Sequence, residues 1–443
     1  MKDNQNTNHK SRRSFMRDSA ALAGGAIISP FASKVSPYIN VDNTIKIALI
    51  GCGGRGTGAA DQVLNTGDDI RLVAMAEPFK ERLDYSYKNL LERHGKTKVA
   101  VKDKNKFTDL QDYKAAMELA DVVLLATPPG FRPIHLEEAV NQGKHIFMEK
   151  PVATDVPGVR KVLELAKKAK EKKLKVLVGH HLRFQKSCIE TIKRLQDGII
   201  GDLLTTRAYF NSTGVWVRER KPGMTEMEYQ IWNWYYFNWL CGDHIVEQHV
   251  HDMDLMNWIK GSHPVKAQGM GGRQVRTGKE FGQIFDHHFV EYYYPDGSIF
   301  NSQCRHIKGC WDNWSDAGHG TRGTFEMIPG KKDSFIYDSK GKLLWKYLGK
   351  DDPAPHQVEQ TEFFRMIRED EYINQAESGA MSTMTAILGR MATYTGQMIT
   401  WDEAMKSEEN LLPEKLSLDA KPLVKPDKDG NYPIPMPGIT KFI

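Results

Sequence analysis

The sequence predicts an α/β fold: an N-terminal Rossmann doubly wound parallel sheet, followed by a C-terminal α+β domain with a large, mostly antiparallel open sheet. Three observations predict it. An apolar run, Ile47 to Ile50, leads into glycines at 51, 53 and 56, the G-x-G-x-x-G spacing that opens a nucleotide-binding turn and helix. Strand-like runs then alternate with helix-like stretches, the order of a parallel sheet. From about Val265 to Tyr337 the pattern becomes strand-like and hairpin-forming.

The elements follow in chain order. "SRRSFMR" (Ser11 to Arg17) precedes "DSAALAGGAIISPFAS", a short Ala/Gly-rich apolar stretch. A paired arginine before such a stretch reads as a twin-arginine export signal, with periplasmic localisation as the expectation. Residues 1–40 are therefore signal and linker and are left out of fold reasoning. The chain holds no run of eighteen apolar residues, so no integral membrane segment is expected once the signal is removed.

Residues 43–178 are expected to form an NAD-binding Rossmann domain. Gly51 permits the tight turn, Gly53 lets backbone approach a pyrophosphate, and Gly56 allows close helix–strand packing. Gly54 and Arg55 lie in the same loop, where free N–H groups of the helix start face the phosphates. "IRLVAMAEPF" is a second strand ending in Glu77, whose carboxylate can accept from a ribose diol and would repel a 2′-phosphate. NAD(H) is the expected cofactor. "DVVLLATPP" and "KHIFMEKPV" are two further strands, the second preceded by helix-like "IHLEEAVNQG". Ligands of such sheets bind outside the carboxyl ends of the strands, where Thr127, Pro128, Glu149 and Lys150 fall. His135 and His180 join them as candidate cofactor contacts.

"GCGGRG", "ATPP" and above all "EKP" (Glu149, Lys150, Pro151), in this order and spacing, resemble the Gfo/Idh/MocA oxidoreductases. "GHHLRF" (Gly179 to Phe184) sits where that family has a strand end carrying an arginine. The resemblance spans roughly residues 43 to 400. It implies a C-terminal open sheet whose face often mediates assembly, so a homodimer or homotetramer is expected. Residues 179–410 form the expected substrate and oligomerisation domain. After them the proline-rich stretch 411–443 reads as an extended C-terminal arm.

"GDHIVEQHVHDMD" (Gly242 to Asp254) reads as one amphipathic helix with Asp243, Glu247 and His251 on a single ionisable stripe. His244 and His251 lie about 10 Å apart along such a helix, too far to share one ion. His249 points to the other side, and Glu247 with His251 would need remote ligands, so no metal is expected. The resemblance carries an acid four positions before a histidine, ahead of H-x-x-D. Here these are Glu247, His251 and Asp254, with Glu where the family has Asp. It implies His251 as general acid/base and Lys150 as the lysine that hydrogen-bonds the reacting oxygen. Oxidising a secondary alcohol needs both groups. An imidazole takes the hydroxyl proton, and an ammonium stabilises negative charge on oxygen. Glu247 could orient the imidazole.

"EYQIWNWYYFNWLCGDH" (Glu228 to His244) is dense in rings, most of them expected in the core or at an interface. A minority could form a sugar-binding wall, since rings cover the apolar faces of pyranoses. Trp234 and Tyr235, with His181, Arg183 and Gln248, are the candidate substrate contacts beside His251. The five cysteines show no C-x-x-C spacing and are odd in number, consistent with thiols buried before export in a folded state. The net charge of +5 comes from scattered lysines, which argues against a nucleic-acid partner.

The chain is therefore expected to be an exported NAD(H)-dependent oxidoreductase acting on a secondary hydroxyl or ketone of a sugar or glycoside, glycoside 3-oxidation being one form. Free NAD is scarce outside the cytoplasm, so the cofactor is expected to be tightly bound. A second reading is an NAD-dependent glycosidase that oxidises, eliminates, adds water and reduces with captive NAD. A third, a non-catalytic sugar-binding protein, leaves Lys150 and His251 without a role.

Overall fold

A computed structural model describes residues 44–441. The twin-arginine segment lies outside the described residues. The first sheet is built from β1 (Ile45–Ile50), α1 (Gly54–Leu64), β2 (Ile70–Ala76), α2 (Lys80–Lys98), β3 (Lys106–Phe107), α3 (Tyr113–Glu118), β4 (Val122–Leu125), α4 (Arg132–Asn141), β5 (His145–Met148), α5 (Val156–Glu171) and β6 (Val176–Val178). Its strand order is β3-β2-β1-β4-β5-β6, all parallel. β4 and β5 are buried along their whole length, as apolar runs covered by helices on both faces should be. The order reverses between β1 and β4, which opens a crevice at their carboxyl ends.

α6 (Lys186–Gln196) leads to β7 (Leu203–Ser212), then to α7 (Glu226–Trp232), α8 (Asn238–Cys241), α9 (His244–Glu247) and α10 (Val250–Lys260). The remaining strands are β8 (Lys266–Gly272), β9 (His287–Tyr293), β10 (Ile299–His306), β11 (Asn313–Gly320), β12 (Gly323–Ile328), β13 (Asp333–Asp338) and β14 (Leu343–Leu348). α11 (Pro355–Arg368), α12 (Ala376–Thr395), β15 (Ile399–Thr400) and α13 (Trp401–Ala404) complete the chain's regular elements. The second sheet has nine strands in the order β14-β13-β12-β11-β7-β10-β9-β8-β15. Only β7 and β10 pair in parallel. β9 and β10 form the hairpin expected around Pro295-Asp296-Gly297, where Gly297 takes the left-handed φ of +81° that the turn requires.

β10 alternates buried and half-buried residues, the signature of a sheet with one covered face. α12 is buried along almost all of its length, and its side chains join one apolar core running from the first sheet to the second. One late helix departs from the linear division of the chain. α11 returns to the first domain, where Phe363, Phe364, Met366 and Ile367 pack with Leu49 and Val63, and Arg368 pairs with Asp69 at 2.8 Å. Among its described residues the arm has no helix or strand. Its Leu411, Leu416, Leu418, Val424 and Tyr432 pack against the ring-rich cluster around Phe131, Phe237 and Trp239. Among the described residues no helix is long and apolar enough to cross a membrane. All five cysteines are thiols, four of them buried and Cys310 exposed.

The stretch from 242 to 254 is not one helix. α9 ends at Glu247 and α10 begins at Val250. Between them the His249 N–H donates to the His244 carbonyl, five residues back, and the His251 N–H to the Gln248 carbonyl, three back. The turn is locally loosened and then tightened, which rotates His251 off the stripe a regular helix would give. Asp243 precedes α9 with φ +74° and is fully buried. Its carboxylate accepts from the Phe285 N–H at 2.9 Å and from the Tyr394 hydroxyl, so it belongs to the core and not to a polar front.

Candidate active site

The crevice at the carboxyl ends of β1, β2 and β4 is shaped by missing side chains. Gly51 has φ +95°, and a Cβ on it would meet the backbone of Ala126 and Thr127 at 2.7 Å. A Cβ on Gly56 would lie 2.0 Å from the Gly51 carbonyl oxygen. α1 starts after Gly53 with no side-chain cap and no acidic residue in its first turn, so its N–H groups remain available to phosphate oxygens. Glu77 is buried at the end of β2 and accepts from the Cys52 N–H at 3.0 Å and the Phe79 N–H at 3.2 Å. Burial pushes its carboxyl pKa up against the opposing pull of Arg82.

Gly51, Gly53, Gly54, Arg55, Gly56, Glu77, Thr127, Pro128 and His135 all line this crevice. His135 Nδ1 lies 3.1 Å from the Thr127 hydroxyl, and burial pushes its imidazole pKa down to about 3, so the ring is neutral. The crevice fits a dinucleotide: a Cβ-free cradle at a helix start, with a carboxylate one strand away. Arg55 ties the start of α1 to the end of β5 and to α11, its Nε 2.5 Å from Glu149 and its Nη2 3.4 Å from Glu359. Burial and the nearby Glu149 push the Glu359 carboxyl pKa well up.

Glu149 and Lys150 follow β5 directly, and the Lys150–Pro151 peptide is cis. The Lys150 ammonium donates to the Glu247 carbonyl oxygen at 2.6 Å and lies 3.3 Å from the Glu247 carboxylate. A strand tip of the first domain and a helix end of the second thus meet. His251, at the start of α10, is buried within a group of imidazoles. Its ring centroid lies 4.6 Å from that of His181 and 6.0 Å from that of His180, both edge-on. His356, at the start of α11, stacks on His181 at 3.9 Å. Burial first, then the Lys150 ammonium, hold the His251 imidazole well below its ordinary pKa, so the ring is neutral and can receive a proton. Burial and Asp254 act in opposite directions on His180, whose pKa is pushed down to about 4.

Several expected contacts have other partners. Glu247 pairs with Lys150, and the helix break explains why it does not stand one turn below His251. Arg183 donates through Nε and Nη2 to Asp254 at 2.7 and 2.9 Å, and Ser382 donates to the same carboxylate at 2.7 Å. Arg183 therefore anchors α10. Gln248 accepts from His306 Nε2 at 2.6 Å when that nitrogen carries the proton. Tyr235 is buried, with its ring 5.9 Å from His306. Trp234 lines the dinucleotide crevice beside Trp216 at 5.7 Å. Asp243, His244 and His288 bring one ligand-type atom each within 4.8 Å, a grouping the helical reading of 242–254 does not contain. His356, Glu359, Trp216 and Arg218 enter the site from segments without a recognisable motif.

The Gfo/Idh/MocA family model, described as an oxidoreductase family with an NAD-binding Rossmann fold, matches residues 45–180. A 2,7-anhydro-N-acetylneuraminate hydratase of Escherichia coli (strain K12) is 24% identical over 219 residues, covering 49% of this chain and 54% of that protein. An inositol 2-dehydrogenase of Corynebacterium glutamicum (strain R) is 24% identical over 228 residues, covering 52% of this chain and 58% of that protein. The chain thus spans little more than half the length of these curated relatives. A levoglucosan dehydrogenase solved with NADH and levoglucosan superposes with a TM-score of 0.63 at 14% identity, over 81% of this chain and 99% of that one. That likeness is one of fold.

Proposed function

This chain carries the NAD-binding domain of the Gfo/Idh/MocA oxidoreductases, and from that premise we propose that it oxidises a secondary hydroxyl, or reduces the corresponding ketone, of a sugar or glycoside with NAD(H). The observation that supports the reading most is the meeting of Lys150 and Glu247 across the two domains, with the neutral His251 beside them. Bound NAD supplies the hydride acceptor. His251 takes the hydroxyl proton, since its imidazole is uncharged at neutral pH. The Lys150 ammonium stabilises negative charge on the reacting oxygen. Glu247 holds the ammonium in place. His181, edge-on to His251, and His356, stacked on His181, shield the transferred proton from water. In the reverse direction His251 returns the proton to the alkoxide oxygen.

Three further parts belong to this proposal. The enzyme is exported through the twin-arginine segment to the periplasm and carries its NAD(H) tightly bound. It assembles as a homodimer or homotetramer through the open face of the nine-stranded sheet, where Tyr209, Phe289, Gln303 and His319 line a shallow depression. Its substrate is a glycoside oxidised at position 3. A second reading is a redox-neutral glycosidase with captive NAD. It is favoured by the Escherichia coli relative, whose name is that of a hydratase, an enzyme that adds water.

Incubation with methyl and nitrophenyl glycosides separates the two. Keto-sugar with an equal amount of NADH is expected for the dehydrogenase. Free sugar and aglycone with no net NADH would replace it by the glycosidase. Neither product across a broad glycoside panel would overturn both.

A further inference from the structure

We propose that the second domain completes the adenosine half of the dinucleotide site with Trp216 and Arg218, and that the C-terminal arm fastens this strap across both lips of the crevice. The inference rests on the NAD(H) reading and adds to it the residues that keep the cofactor in.

After β7 the chain leaves the second sheet and crosses to the first domain. Trp216 and Arg218 then line the same crevice as Gly53, Glu77, Arg82 and Leu110. Trp216 is 39% exposed, a large ring left uncovered beside the carboxylate that suits a ribose diol. A flat purine is the ligand that such a ring takes, by stacking, in the crevice it shares with Glu77. The strap is held firmly. The Arg218 N–H donates to Asn233 Oδ1 at 2.9 Å, and its guanidinium donates to the Trp232 carbonyl at 2.9 Å and lies 3.9 Å over the Trp216 ring.

Arg82, from α2, lies 4.1 Å over the Trp232 ring and donates to the same carbonyl at 3.1 Å. Arg218 lies 5.1 Å from that ring, so Trp232 takes a cation from each domain. Lys221 of the strap pairs with Glu81 of α2. Strap and first domain are therefore riveted on one lip.

The arm closes the other side. Its Leu411 N–H donates to Asp155 at 2.7 Å. The Leu416 carbonyl accepts from Gln111 at 3.0 Å, next to the crevice residue Leu110. The Leu418 carbonyl accepts from the Thr225 hydroxyl at the strap's end, and the Val424 carbonyl accepts from Gln230 at 2.8 Å. Tyr432 donates to Glu226 at 2.6 Å and sets its ring edge-on to Phe237 at 4.9 Å. One continuous segment is thus bonded to the first domain at 111 and 155 and to the second at 225, 226 and 230. A dinucleotide in the crevice leaves only when these bonds open together, so its dissociation is slow.

The test uses the full-length chain and needs no turnover. NADH fluorescence is followed in stopped flow after a chase with excess NAD, for the wild type, Trp216→Ala, Trp216→Phe and Gln111→Ala with Tyr432→Phe. Trp216→Ala and the arm pair should each release NADH at least tenfold faster, and Trp216→Phe should stay near the wild-type rate. Gln111 is exposed, so the arm pair tests the strap even where Trp216→Ala fails to fold. Binding of ADP-ribose and of nicotinamide mononucleotide locates the effect. Trp216→Ala should weaken the first and leave the second unchanged. Release within twofold of wild type in folded Trp216→Ala or in the arm pair, or equal weakening of both half-ligands, would overturn the strap while NADH binding by the wild type stood. A wild type that binds neither NADH nor ADP-ribose would overturn the NAD(H) reading, and the strap with it.

Discussion

Glu247 has its carboxylate 3.3 Å from the Lys150 ammonium, so its influence on His251 passes through the lysine. A double-mutant cycle on kcat/KM should give a coupling of about 1 kcal/mol or more between Glu247→Gln and Lys150→Met, and near zero between Glu247→Gln and His251→Ala. The reverse pattern would return Glu247 to the imidazole. Asp316 of β11 carries a shifted carboxyl away from the site. It is fully buried beside Asp252, which is held by Trp314 Nε1 at 3.0 Å and by His249 Nδ1 at 2.7 Å. Burial first, then the neighbouring Asp252, push the Asp316 carboxyl pKa well up. Its folded value lies above its unfolded value, so it costs stability as pH rises past about 4. Asp316→Asn removes that loss. Urea unfolding should show the variant gaining on the wild type between pH 5 and 8, and a constant difference would contradict the assignment. Glu77 was legible as a candidate from motif spacing, and Lys150 and His251 from the family resemblance. Their partners were not, because a carbonyl acceptor such as that of Glu247 carries no side-chain signature.

Four strands of the first domain, β1, β2, β4 and β5, were readable from their apolar runs, whereas the two-residue β3, only half-buried, carries no such run. The hairpin at 295–297 was readable from its turn chemistry. The break at Gln248–His249 was not. Helical periodicity assumes that each N–H bonds four residues back, and the sequence holds no glycine or proline there to mark the change. All of the stretch except the half-buried Glu247 and Gln248 is also buried, so its polar residues do not trace a solvent face. The β1–α1 turn depends on one residue, Gly56. In Gly56→Ala the new methyl would lie 2.0 Å from a backbone carbonyl that cannot swing aside. A loss of about 2 kcal/mol or more in unfolding free energy, with NAD affinity reduced at least tenfold, is expected. Calorimetry and NADH titration check it, and wild-type values in both would mean the helix start is more adaptable than its packing implies.

At the scale of the molecule, the site is assembled from segments distant in sequence. α11 returns to the first domain, where His356 stacks on His181 and Glu359 pairs with Arg55, and the arm spans both domains. No local pattern records such returns, and the division at 179–410 missed α11 for that reason. The assembly also buries many imidazoles. Burial pushes His135 and His306 down to about 3 and His180 to about 4. Their unfolded values lie near 6.5, so above that pH they cost nothing. As pH falls from about 6.5 towards 4 the unfolded chain takes up protons that the folded chain refuses. Each buried imidazole then removes up to about 1.4 kcal/mol per pH unit. Denaturant midpoints should fall steeply below pH 6, and midpoints unchanged from pH 7 to 5 would contradict the neutral-imidazole core.

The central claim is that Lys150 and His251 handle the proton and the charge of a hydroxyl oxidised beside bound NAD. A single-turnover measurement at 340 nm, mixing the NAD-loaded protein with excess reactive glycoside, tests it most directly. A rise of one reduced nicotinamide per site is expected in the wild type, slowed at least about a hundredfold in Lys150→Ala and in His251→Ala that still hold NAD. Wild-type rates in both NAD-loaded variants would contradict it.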